Sequence, residues 1–114
     1  MPGDFPDVLT DVPVTVHDFV TGEIIACGRM NVRFIEHTDR LRVMRARFTG
    51  EFTPDTPQDK AALDREIITA ISAGTMGHKL QVEHGGKTWT LTVKFEPGDV
   101  VFPFTGRQDP KVVA

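Results

Sequence analysis

The sequence predicts an α+β domain in which six to seven mostly antiparallel strands curl into a small barrel or a two-layer sandwich, with one α-helix packed on one side. Two observations favour this fold class. Segments with alternating apolar and polar residues, typical of half-buried strands, are separated by turn residues along most of the chain. One segment, at about 57–73, instead has helical periodicity. A single helix about 25 Å long does not cover both faces of so many strands, so the sheet must close or fold into two layers.

The first two predicted strands form a hairpin. Residues 12–19 alternate as a strand does, 20–23 contain turn residues, and 24–36 alternate again. In the second strand Met30 and its alternate neighbours face inward, and Gly28 interrupts the pattern in a way typical of a bulge. The turn leaves the register of this hairpin open.

A cluster of arginines defines the next predicted strand, residues 40–48, in which four arginines fall in eight residues. The apolar residues change parity at Val43–Met44, and a β-bulge there would turn all four arginines outward. A two-residue loop at Thr38–Asp39 would set Phe34 opposite Val43 and Ile35 opposite Arg42. Arginines of the preceding strand then join the same surface. The predicted cationic face contains Arg29, Asn31, Arg33, Arg40, Arg42, Arg45 and Arg47.

The helix has clear start and stop signals. Thr56 supplies a hydroxyl cap, Pro57 suits the first helical position, and Asp59 places a carboxylate in the first turn. Gly74 or Gly77 ends the helix. The predicted buried stripe is Leu63, Ile67, Ala70 and Ile71.

A second hairpin follows over residues 80–95. Its Gly85–Gly86 turn sets Val82 opposite Trp89 and Leu80 opposite Leu91, and the apolar alternation gives the same register. A last short strand is predicted over residues 100–104.

The length of 114 residues, with 39% hydrophobic and 25% charged residues, indicates one globular domain. We expect an extended N-terminal arm over 1–12, an α+β domain over 13–104 and a C-terminal tail over 105–114. The composition of the first residues does not resemble that of a secretory signal, and the apolar runs are too short to span a bilayer. A cytoplasmic location, or one within an assembled particle, is therefore expected.

The net charge is −3, and the charged residues are unevenly distributed along the chain. Residues 29–48 contain six arginines and two carboxylates, whereas residues 1–23 contain five carboxylates and no lysine or arginine. The acidic segment is a candidate counter-surface for the cationic face, on the same subunit or on a neighbour. Its members in the predicted arm are Asp4, Asp7 and Asp11.

Catalytic and metal-binding signals are weak. Cys27 lies in an apolar run, which predicts a small buried side chain, not a nucleophile. The turn around His37 places Glu36 and Asp39 beside an imidazole, but it matches no known ligand spacing. No metal site and no cofactor are predicted.

We expect a non-enzymatic assembly subunit that forms homo-oligomers or docks on acidic protein surfaces. In outline, one helix set between hairpins of a small curled sheet resembles the ring-forming subunits of phage tails and head–tail junctions, which implies a virion component. Two alternatives stay open. One is a nucleic-acid or phosphate binding module, or an inhibitor or adaptor protein, that uses the arginine face. The other is a small enzyme with Cys27 or the His37 turn as its site. Copies of the chain or another protein are the expected partners, nucleic acid is a weaker candidate, and no membrane is expected.

Overall fold

A computed structural model describes residues 5–35, 47–74 and 77–113 of the chain. Within these ranges it contains seven strands and one helix, in the order β1, β2, β3, α1, β4, β5, β6, β7. The bounds are β1 Val8–Asp18, β2 Ile24–Phe34, β3 Phe48–Pro54, α1 Pro57–Ala73, β4 His78–His84, β5 Lys87–Phe95, β6 Phe102–Gly106 and β7 Lys111–Val112.

Six of these strands close into an antiparallel barrel. The hydrogen-bonded order is β4-β1-β2-β3-β6-β5, and β4 pairs with β5 to complete the circle. The short β7 adds to β5 beside the start of that strand. The α+β fold class and the barrel are thereby confirmed, and closure leaves few strand edges unpaired.

The two hairpins have defined registers. Val82 lies opposite Trp89 and Leu80 opposite Leu91, as predicted from the Gly85–Gly86 turn. In the first hairpin, whose register the sequence left open, Val14 lies opposite Gly28.

The partner of β2 differs from the prediction. Phe34 lies opposite Phe48, and the N–H of Ile35 donates to the carbonyl of Arg47, so the predicted pairing of Phe34 with Val43 and of Ile35 with Arg42 is wrong. The observed register sets two inward-facing apolar series against each other, with the rings of Phe34 and Phe48 5.2 Å apart. The bulge predicted at Val43–Met44 lies outside the described residues.

Both predicted terminal extensions contain paired backbone. β1 begins at Val8, inside the predicted arm, and Val8 lies opposite Arg33. Phe5 is buried against Trp89, with their ring centroids 5.1 Å apart. In the predicted tail, β7 pairs with β5. The proposed domain boundaries themselves stay a prediction.

Glycines and phenylalanines pack together on the inner face of the barrel. A Cβ added to any of three glycines on β2, β3 and β6 would overlap the ring of a phenylalanine. Glycine at these positions lets the ring approach the backbone closely, which accommodates the strong curvature of a small barrel. The pairs are Gly28 with Phe52, Gly50 with Phe104, and Gly106 with Phe48.

Helix α1 starts as the sequence predicts, with Thr56 as the cap, and it ends at Gly74 in a left-handed conformation of φ 66°. Leu63 and Ile67 are buried. Ile71, predicted in the same stripe, is 61% exposed because it borders an open groove that no described residue fills. The helix is too short and too polar to cross a membrane, and no other helix occurs among the described residues.

The connections alternate between the two ends of the antiparallel barrel. The helix end, as we call it, holds the turn at 19–23, helix α1 with its flanking residues, and the β5–β6 connection at 96–101. The distal end holds the start of β1, the Gly85–Gly86 turn, the end of β6, and the residues where β2 stops and β3 starts.

Candidate functional site

The outer face of β2 holds the described part of the predicted arginine face. Arg29, Asn31 and Arg33 are exposed because they alternate with the buried Met30 and Val32. The other predicted members, Arg40, Arg42 and Arg45, lie outside the described residues, as do Asp4 and the His37 turn.

Arg29 already has a carboxylate partner within the chain. The register of β1 against β2 shifts between Leu9 and Val12, and there Asp11 has a positive φ of 52°. The Arg29 Nε donates to Asp11 Oδ1 over 2.7 Å, and the Asp11 N–H donates to Asn31 Oδ1 over 2.7 Å. The acidic segment therefore supplies a counter-charge on the same subunit at this point.

The remaining described members differ in their partners. Asn31 donates to Glu51 over 3.4 Å, and Arg47 lies 3.6 Å from the carboxylate of Asp109. Arg33 lies between Val8 and Thr49, and no carboxylate of a described residue is within ion-pair distance of it. Asp7 is exposed, and its carbonyl accepts from the Phe34 N–H at the distal end.

Cys27 is exposed, so the prediction of a buried side chain is wrong. Its neighbours Ala26 and Gly28 face the core, and the strand alternation then turns Cys27 outward, opposite Thr15. The thiol borders a shallow groove of about 490 Å³. Within the described ranges, no three His, Cys, Asp or Glu side chains are placed to hold a metal ion.

His17 and its neighbours hold the β1–β2 turn. The ring is 7% exposed, with Nδ1 2.9 Å from the Gly22 carbonyl and Nε2 2.7 Å from the Thr15 hydroxyl. Because a carbonyl oxygen only accepts, Nδ1 carries the proton in that hydrogen bond. Both ring nitrogens therefore take part in hydrogen bonds within the protein.

His78 is a second buried histidine, only 4% exposed, and it is placed between the helix and the barrel. Its Nε2 lies 3.5 Å from the Glu66 carboxylate of α1, and its ring lies against Phe95. Sequence reasoning missed this contact, because nothing in the local pattern relates a helix position to the start of a later strand.

Exposed apolar residues mark the helix end. Val20 is 89% exposed at the tip of the β1–β2 turn, and Phe19 and Ile24 beside it are also exposed. A groove of about 410 Å³ separates this turn from α1. Turn tips are usually polar, so the apolar pair Phe19–Val20 at a turn is the feature of the sequence from which this surface could have been predicted.

This end of the molecule also has negative charge. The Thr21 and Val20 N–H groups donate to the Asp18 carboxylate and hold its pKa below the ordinary value of 3.8. Glu23 is exposed in the same turn, and the last turn of α1 contains no basic residue to offset the partial charge of its carbonyl end.

A patch of different composition lies at the distal end. Val8 and Ile35 are exposed, Val8 lies opposite Arg33, and the Ile35 N–H donates to the Arg47 carbonyl over 2.8 Å. Two apolar side chains and two arginines are therefore neighbours there.

Comparison of the chain with protein-family models, with curated proteins and with solved structures finds no match.

Proposed function

We propose that this chain is a non-enzymatic assembly subunit that binds further copies of itself through the two ends of its barrel. The observation that supports this most is the placement of its exposed large apolar side chains. Within the described ranges they lie at the two ends and not on the middle of the barrel wall. At the helix end they are Phe19, Val20, Ile24, Ile68, Ile71 and Val100, and at the distal end Val8, Ile35, Val112 and Val113. Exposed apolar groups concentrated in this way are typical of interaction surfaces.

The charges of the two ends are opposite in sign. The described connecting residues at the helix end, 19–23, 55–56, 74, 77 and 96–101, contain four carboxylates and no lysine or arginine. One cation of a neighbouring strand lies beside them, because the Lys79 Nζ is 5.1 Å from the centroid of the Phe19 ring. Cations outnumber carboxylates among the described residues near the distal end, where Arg33, Arg47, Lys87, Arg107 and Lys111 accompany Asp7, Glu83 and Asp109. Unlike patches on one molecule favour a heterologous contact, which closes into a ring or continues as a tube. The outline resemblance to ring-forming phage subunits implies an assembly of the same kind.

The nucleic-acid alternative has less support. Arg29 and Arg47 already have carboxylate partners, so phosphate would have to displace Asp11 and Asp109. Stacking of bases needs exposed aromatic rings near the cations. Phe48, Phe52 and Trp89 are buried in the core, and the exposed Phe19 lies at the helix end, opposite the distal arginines.

Native mass at low and at high salt tests the proposal, measured by size-exclusion chromatography with light scattering at tens of micromolar protein. We expect multiples of the 12.7 kDa subunit at low salt and smaller species at high salt, because salt screens charge pairs at the rim of an interface. A monomer under both conditions would overturn the proposal. A low-salt mobility shift with DNA or RNA, with no self-assembly, would favour the alternative.

A further inference from the structure

We infer that the assembly contact is head to tail and joins two defined patches on successive copies of the chain. The helix-end patch consists of Phe19, Val20, Glu23 and Ile24, and the distal patch consists of Val8, Arg33, Ile35 and Arg47. This inference rests on the proposed function and adds to it the two surfaces that meet.

The helix-end patch is held in one shape before it binds. The Asp18 carboxylate accepts from the Val20 N–H over 2.9 Å and from the Thr21 N–H over 2.8 Å. The Asp18 N–H donates to the Glu23 carbonyl, and the His17 ring bonds the carbonyl of Gly22. A turn ordered in this way presents Val20 at little further cost in conformational entropy, which suits an anchor residue.

The distal patch is also built on paired backbone. Val8 and Arg33 are directly opposed residues of β1 and β2, and the hydrogen bond from Ile35 to Arg47 joins the end of β2 to the residue before β3. Arg33 has no carboxylate partner among the described residues, and Arg47 is 3.6 Å from Asp109 at an exposed site. The Arg33 guanidinium is therefore suited to pair with a carboxylate of a neighbour, whereas Arg47 would have to exchange Asp109 for such a partner.

Charge complementarity selects a second copy in the head-to-tail orientation. Each patch has exposed apolar side chains. At the helix end the carboxylates of Asp18 and Glu23 outnumber the Lys79 ammonium, which lies 5.1 Å from the centroid of the Phe19 ring, so the net negative charge there matches the arginines of the other patch. Two helix-end patches placed together would oppose carboxylates, and two distal patches would oppose arginines. Like charges in contact penalise both symmetric arrangements.

Two variants with one altered end each test this arrangement. The helix-end variant combines Val20→Lys with Glu23→Lys, and the distal variant combines Arg33→Glu with Ile35→Glu. All four side chains are exposed, so both variants should fold, which circular dichroism verifies. Each variant alone should remain monomeric at a concentration at which the parent assembles. An equimolar mixture should form a dimer of one copy of each and stop there, because only one intact pair of patches is present.

A matched control places a charge on the barrel wall. Thr53 is exposed on β3, and Thr53→Lys should assemble as the parent does. Dimers of the distal variant alone would show a symmetric helix-end contact and overturn the inference. A monomeric mixture, with a parent that assembles, would also overturn it while leaving the proposed function intact. A parent that never assembles would overturn both.

Discussion

The carboxylate of Asp59 accepts a hydrogen bond from the backbone N–H of Cys27 over 3.0 Å, joining the first turn of α1 to β2. Its other oxygen accepts from the Thr56 hydroxyl over 2.6 Å. The Cys27 carbonyl accepts in turn from the Asp55 N–H over 3.0 Å. These bonds satisfy the backbone of β2 at the point where its pairing with β3 ends, so the Asp59 side chain links the Thr56 cap of the helix to the sheet.

Replacement of this carboxylate should destabilise the protein more than an ordinary surface change. Asp59→Ala leaves the Cys27 N–H and the Thr56 hydroxyl without their acceptor, and we expect a loss of about 1–2 kcal/mol in the free energy of unfolding. Urea unfolding measures it. Asp64→Ala is the matched control, because Asp64 forms an exposed i,i+4 pair with Lys60 worth about 0.5 kcal/mol or less. Equal effects of the two changes would contradict the role given to Asp59.

The same carboxylate predicts a dependence of stability on pH. The Thr56 hydroxyl and the Cys27 N–H stabilise the ionised form and hold the pKa of Asp59 below its ordinary value of 3.8. A lowered pKa in the folded state contributes stability that is present above the ordinary value and is lost as the pH falls through the lowered one. The difference in the free energy of unfolding between the parent and Asp59→Ala should therefore be constant near neutral pH and become smaller in acid. Unfolding series at decreasing pH measure this, and a difference that grows in acid would contradict it.

Local sequence signals predicted the elements whose determinants are local. The cap at Thr56, the helix bounds and the Val82–Trp89 register all depend on residues a few positions apart. A Gly-Gly turn and an apolar alternation agree over the second hairpin, so one register satisfies both.

Contacts between residues far apart in the sequence could not be predicted in the same way. The alternation over 40–48 placed the partner of β2 directly after a tight turn, whereas β2 pairs with β3 from Phe48 onward. The exposure of Cys27 follows from Gly28 lying under the Phe52 ring, a cross-strand contact that local hydrophobicity does not contain. The acidic counter-surface stays a prediction, and the bulge that turns Asp11 onto Arg29 had no clear local signal.

The packing of Phe48 on Gly106 predicts a strong energetic coupling between these two residues. They are directly opposed on β3 and β6, and a Cβ at Gly106 would overlap the Phe48 ring. Gly106→Ala should cost about 1–3 kcal/mol, because a close-packed core must shift to accept the methyl group. In a double-mutant cycle measured by urea unfolding, Phe48→Leu should absorb part of this cost, because the smaller side chain leaves room. Additive effects of the two changes would show that the overlap is relieved elsewhere.

The positive φ of Asp11 predicts that backbone strain, more than the ion pair, decides the effect of changes at this position. Asp11→Gly and Asp11→Ala both remove the carboxylate that Arg29 contacts, but only glycine adopts a φ of 52° without steric cost. We expect the alanine variant to be the less stable by about 1 kcal/mol. Arg29→Gln removes the exposed ion pair together with the hydrogen bond from the Arg29 guanidinium to the Asp11 carbonyl, and it should cost at most about 1 kcal/mol. Thermal and urea unfolding of the three variants measure these differences. Equal stability of the glycine and alanine variants would show that the backbone at Asp11 is unstrained.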